Sequence, residues 1–144
     1  IRTVLLRTGI VLSKDGGALA TMLTPFKLGV GGVVGSGKQW MSWISLDDHV
    51  AAINYAIENE NLRGAVNSVS PHPVTNEEFT KTLGEVLYRP TFLPLPEFAV
   101  SMVFGEMGDA LLLTSTKVLP KRLEEAGFEF NYPELKAALK QTVE

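Results

Sequence analysis

Apolar residues crowd the start of the chain. In IRTVLLRTGIVL, Val4, Leu5, Leu6, Ile10, Val11 and Leu12 leave little polar alternation. A short, nearly continuous apolar strand of this kind belongs in a parallel sheet covered on both faces by helices. Such a strand needs neighbours, and few candidates follow it, so the sequence reads as the C-terminal part of a larger protein. SKDGG then reads as a turn, and ALATMLTPFKLG as a short apolar helix broken near Pro25. The glycine-rich GVGGVVGSGKQ reads as an irregular, flexible loop at a ligand mouth, where absent side chains let a ligand approach the backbone.

WMSWISL alternates large and small residues and predicts a strand. On it Trp40 and Trp43 face opposite sides, one in the core and one towards a ligand, and Trp40 is expected to be the latter because it adjoins the glycine loop. DDHVAAINYAIENE predicts a helix that places Val50, Ile53, Ala56 and Ile57 on one inward face. GAVNSVS is a second apolar strand. TNEEFTKTLGEVL opens on a capping box, with Thr75 and Glu78 at T-x-x-E spacing. Beyond RPTFLPLPEF, a proline-punctuated connection, come three short helices, in AVSMVFGEMGDALLL, STKVLPKRLEEAGF and YPELKAALKQTVE. The pattern divides the chain into residues 1–88, with strand and helix in alternation, and residues 89–144, mostly helical.

Composition removes several classes of function. A chain of 144 residues with 45% hydrophobic residues and a net charge of -3 reads as a soluble globular protein. No apolar run approaches the roughly 20 residues a membrane span requires. Lys and Arg are scattered without a basic patch, which argues against a nucleic-acid partner. With no cysteine there are no disulfides or thiolate metal sites, and His49 and His72 are too few and too far apart to suggest a metal centre.

Four stretches could carry chemistry. Gly32–Lys38 fits G-x-x-x-x-G-K, but Gln39 stands where a phosphate-binding loop needs a Ser or Thr, and a strand follows where a helix is required. Tyr132 and Lys136 have Tyr-x-x-x-Lys spacing, in which an ammonium one helical turn away lowers a phenol's pKa for proton transfer. Pro133, however, places Tyr132 at a helix entrance, so the expectation is a packed Tyr132 and a solvated Lys136. The Asp47–Asp48 pair is accounted for by capping the free N–H groups of a helix start. Arg7 is a charge in a strand that otherwise reads as buried. It either pairs with a carboxylate or lies at the strand's C-terminal end beside a ligand crevice.

Taken in order, the segments resemble the C-terminal half of an extended short-chain dehydrogenase/reductase, the superfamily that includes nucleotide-sugar epimerases. The counterparts of its motifs are Leu5–Leu12, Gly35-Ser36-Gly37-Lys38-Gln39, Met41–Ile44, Asp47-Asp48 and Val66-Asn67. More narrowly, GSGKQWMSWISLDD, NSVSPHPVTNEEF, PLPEF and the ending VLP..L..AGF.F.YPEL..AL resemble an epimerase-family branch with its own small C-terminal domain of unknown function.

The resemblance implies an α/β fold, the C-terminal part of a Rossmann-like core with a mostly helical C-terminal subdomain. It implies NAD or NADP as cofactor of the full-length protein, with the dinucleotide turn and the catalytic Tyr-x-x-x-Lys before Ile1, so that these residues alone are inactive and hold no cofactor by themselves. By the same carry-over Thr8, Gly9 and Ile10 lie near the nicotinamide, Arg7, Gln39 and Trp40 serve the substrate, and no catalytic residue falls within the chain. Met41 and Ile10 replace an Arg and an Asn that contact substrate in relatives, which favours a less polar carbonyl or alcohol. The implied partners are that substrate, the preceding half of the same protein, and a second copy in a homodimer. The implied setting is the cytoplasm or an organelle stroma or matrix. The rival reading is a non-catalytic binding or assembly module, with Met102, Phe104 and Met107 exposed on one patch.

Overall fold

The computed structural model describes all 144 residues, Ile1–Glu144. Its first apolar run is two strands, β1 (Val4–Thr8) and β2 (Ile10–Leu12), and not the single one the pattern suggests. WMSWISL likewise divides into β3 (Trp40–Met41) and β4 (Trp43–Ser45). The division has a steric cause at Gly9. A Cβ there would lie 2.6 Å from the Ser42 carbonyl oxygen and 2.8 Å from Val69 Cγ1, so only glycine lets the two segments approach. The ladder changes partner across this one residue. The Gly9 N–H donates to Ser68 O at 3.3 Å and the Ile10 N–H to Ser42 O at 2.9 Å.

β1 therefore runs parallel to β5 (Gly64–Ser68), in the register Val4 to Gly64 through Thr8 to Ser68, while β2 runs parallel to β4. Helix α1 (Gly17–Lys27) follows β2 and packs Leu19, Met22, Leu23 and Phe26 inward. Pro25 lies inside it and does not break it. The missing N–H falls in the last turn, and the Leu28 N–H still reaches Thr24 O at 3.1 Å.

Helix α2 (Leu46–Glu58) links β4 to β5. Its inner face differs from the one expected. Asp48, Ala52 and Ala56 are buried, whereas Val50 is 49% and Ile57 68% exposed and Ile53 lies beside them. The small alanines allow close packing on β5, and the larger apolar stripe opens towards Val4 and Leu6 of β1. Arg2 closes the other end of this helix, donating to the carbonyls of Ala56 (2.9 Å), Ile57 (3.0 Å) and Leu62 (2.9 Å), where a cation suits the helix dipole.

A two-residue strand, β6 (Val74–Thr75), pairs antiparallel with β3 and leads into α3 (Asn76–Leu87). Both bonds of the Thr75–Glu78 capping box are present. Then come α4 (Glu97–Phe104), the short turn α5 (Glu106–Gly108), a π-helical turn over Asp109–Leu113, α6 (Lys121–Ala126) and α7 (Leu135–Val143). One buried cluster contains Trp43, Phe79, Leu12 and Leu19 together with Val100, Leu112 and Leu139, so the core is continuous across residue 89. A buried side chain of this size contributes about 2 kcal/mol.

The acidic pair does not cap α2. Ser45 does, its Oγ accepting from the Asp48 N–H at 3.1 Å. Asp48, fully buried, reaches instead across 83 residues: Oδ1 accepts from the Asn131 N–H at 2.7 Å and Oδ2 from the Tyr132 N–H at 2.9 Å. This carboxylate is the bolt between α2 and the approach to α7. Asp48→Ala leaves two N–H groups without partners and should lower unfolding stability by roughly 3 kcal/mol in urea titration. Asp47→Ala, whose exposed carboxylate meets only Gln141 at 3.3 Å, should stay within about 0.5 kcal/mol.

Candidate functional site

A cavity of about 370 Å³ lies at the C-terminal end of β1. Arg7, Thr8, Gly9 and Ile10 line one side, where the chain passes from β1 to β2, and Trp40, Met41 and Ser42 continue the wall. Asn67 and Val69 follow from the end of β5. Leu111, Thr114, Thr116 and Val118 close the opposite side. A wider depression of about 590 Å³ near Tyr88 is open and polar, and its lysines, Lys81 and Lys136, are already paired with Glu77 and Glu85.

The closing wall is a strap that starts in the π-helical turn and runs to Leu119. It is sewn to β3, to Ser42 just after it and to β5 by polar bonds that local sequence does not reveal. The Trp40 N–H donates to Ser115 Oγ at 3.0 Å and the Thr116 N–H to Trp40 O at 2.9 Å. Ser42 Oγ, almost fully buried, both donates to Thr116 O and accepts from the Val118 N–H, each at 2.9 Å. Asn67 Nδ2 reaches Leu119 O at 3.2 Å. A hydroxyl used in both directions fixes the strap's register as well as its distance.

Arg7, Thr8, Gly9, Ile10 and Trp40 thus share one cavity, and Gln39 stands outside it. The Gln39 Nε2 donates to Val34 O at 2.9 Å and Leu112 O at 2.8 Å, which pins the root of the strap to the glycine loop. That loop does not line the cavity. Asn76 organises it, its Oδ1 accepting from the Val34 N–H at 2.8 Å, while the Asn76 and Glu77 N–H groups donate to Gln39 O and Gly37 O. No helix follows Lys38, so the phosphate-loop reading has no helix N-terminus to use.

Trp43 is fully buried with its Nε1 donating to His72 O at 2.9 Å, whereas Trp40 faces the cavity with the Lys117 ammonium 4.1 Å from its ring centroid. Tyr132 packs against the main core, and Lys136 Nζ meets Glu85 at 3.2 Å; neither reaches the cavity. His49 is a hydrogen-bond partner of the buried Ser68 hydroxyl at 2.9 Å, and burial lowers its pKa. Residue patterns did not assign Ser42, Val69 or the strap residues to the site, and the strap was hidden because a helix and a loop more than 60 residues away carry no motif pointing back to Arg7.

A parallel strand pair with a crossover helix and a cavity at the strands' carboxyl ends defines the C-terminal part of a Rossmann-like fold. The crystal structure of human epimerase family protein SDR39U1 (isoform 2) with NADPH superposes with a TM-score of 0.91 at 42% identity, covering 98% of this chain and 48% of that one. The epimerase family protein MT2273 of Mycobacterium tuberculosis is 49% identical over 138 residues, 96% of this chain and 46% of the relative. The chloroplastic SDR39U1 homolog of Arabidopsis thaliana is 47% identical over 140 residues, 97% of this chain and 40% of the relative. Residues 95–142 match the family described as a domain of unknown function, DUF1731. Over nearly all of its length the chain is similar to the C-terminal half of epimerase family proteins. It spans about half the length of the curated relatives it matches.

If Ser42 holds the strap, Ser42→Ala should lower the free energy of opening the strap locally by about 2 kcal/mol. It should also speed amide hydrogen exchange at Val118 about tenfold or more without changing Gly64–Ser68. Uniform acceleration across both segments would show a general loss of stability instead.

Proposed function

We propose that the chain is the substrate-side half of an NAD(P)-dependent oxidoreductase or epimerase of the extended short-chain type. One observation carries this reading: the cavity sits at the C-terminal end of a parallel strand whose second edge has no partner. In open α/β sheets that end borders the ligand crevice. β1 hydrogen-bonds only to β5, yet Leu5 on it is 61% exposed, and an apolar groove lined by Val4, Leu6, Ile53 and Ile57 runs beside it. An unprotected apolar edge is a surface made to be covered. Its occupant in this reading is a further parallel strand, with its helix, from the half of the relatives' length that this chain does not span.

The residues present suit the nicotinamide end of a dinucleotide. Thr8, Gly9 and Ile10 present backbone, a small hydroxyl and an apolar side chain where the two strands part, against a wall that is largely apolar. When bound there, the cofactor supplies or accepts a hydride. Arg7 and Trp40 face the substrate, a small carbonyl or alcohol compound, and the strap excludes water. Gln39 is assigned a positioning role through Leu112. The proton-transferring residue comes from the other half, since Tyr132 is committed to the core. No helix is long and apolar enough to cross a membrane. The setting proposed is the cytoplasm or an organelle stroma or matrix.

The assembly-module reading rests on α4, where Phe98 and Met102 project into solvent. Of the residues expected on one exposed patch, Met102 and Met107 are exposed and Phe104 packs, partly buried, against the core.

The discriminating experiment joins the chain to the preceding half of the Mycobacterium tuberculosis relative and titrates NADPH by its fluorescence. The joined protein should bind NADPH and the 144-residue chain should not. Absence of binding by the joined protein, or turnover of carbonyl compounds by the chain alone, contradicts the proposal.

A further inference from the structure

The cavity also narrows the chemistry of its ligand, granted the reading above that it is the substrate site. Arg7 is the one charged side chain among the lining residues, and none of them is acidic. Elsewhere Arg2, Arg89 and Arg122 spend their guanidinium groups on backbone carbonyls, and the ion pairs of the chain involve His72, Lys81 and Lys136. Arg7, exposed at the cavity, has neither kind of partner, as is also true of the exposed Arg63, which lies outside the cavity. A second cation stands on the strap, Lys117, between the lining residues Thr116 and Val118 and above the Trp40 ring. The apolar part of the wall is Ile10, Trp40, Met41, Val69, Leu111 and Val118; of its neutral polar groups, Ser42 and Asn67 are engaged with strap carbonyls and Thr114 with Asp109 O, and Thr8 and Thr116 complete the lining.

One lining cation together with six apolar side chains is complementary to a ligand with one anionic end and an apolar body. We propose that the substrate is such an amphipathic anion, with its carboxylate or phosphate on the Arg7 guanidinium and its apolar portion against Leu111 and Val118. The strap, which lies within the matched domain of unknown function, then determines specificity: its side chains set the length and girth of the apolar portion. A carboxylate from the preceding half of the protein is the competing occupant of Arg7, and it makes the opposite prediction.

The test uses the joined protein described above, loaded with NADPH, and three probes of equal chain length: octanoate, octyl phosphate and octanol. At least one anion should bind about tenfold or more tighter than octanol, read from tryptophan emission and calorimetry. Preference for octanoate alone identifies a carboxylate, and preference for octyl phosphate a phosphate. Arg7→Gln should erase the preference and Arg7→Lys should retain part of it. Leu111→Trp, which fills the apolar end, should weaken all three probes together. Equal binding of octanol and both anions, or a preference that survives Arg7→Gln, overturns the proposal. NADPH binding without anion preference defeats this inference alone, whereas failure to bind NADPH defeats the reading of the site.

Discussion

Every strand offers hydrogen-bonding groups along two edges, and the β1–β5 pair treats its two outer edges unequally. On the β5 side, Arg122 donates to Ala65 O at 3.1 Å and Asn67 reaches Leu119 O, so the strap and the start of α6 close that edge. On the β1 side nothing is paired. The open edge is flanked on one face by Leu5 and on the other by the groove between Val4, Leu6 and Ile57. One edge is protected by side-chain donors, and the other, apolar and bare, is the one that the proposed further strand would cover.

The site depends on the same strand. Because Gly9 lets β1 end against Ser42, the chain changes sheets at that point and leaves a gap between the parting strands. Ser42, on the far side of the gap, holds the strap. Gln39 fixes the strap's root, and Asp48 ties the approach to α7 into α2. The strap side of the cavity is thereby set by the backbone-directed hydrogen bonds of Ser42 and Gln39, which suits a preorganised binding site.

Much of this was legible in the residues. The alternation of strand and helix, the capping box at Thr75, and the opposite facings of Trp40 and Trp43 follow from local periodicity and short-range chemistry. The inward face of α2 did not follow. Periodicity identifies an apolar stripe without saying whether its cover lies in the same chain, and here Val50 and Ile57 remain open while Ala52 and Ala56 pack. The role of Asp48 was hidden for a related reason. A carboxylate in a first turn has a sufficient local explanation, so nothing points to partners 83 and 84 residues away. The strap was illegible because its bonds run from ordinary serine, asparagine and backbone groups. The resemblance of motif order placed Arg7, Thr8, Gly9, Ile10 and Trp40 around a common site, and it placed Gln39 there too, although the geometry of that amide gives it to Val34 and Leu112.

The bare edge of β1 is the feature on which the rest turns, and amide hydrogen exchange reads it directly. Within Val4–Thr8, the amides that point away from β5 should exchange freely in the 144-residue chain. They should gain roughly a hundredfold protection once the preceding half of a relative is joined to it. Strong protection of those amides in the chain alone, or none after joining, would contradict a further parallel strand at this edge.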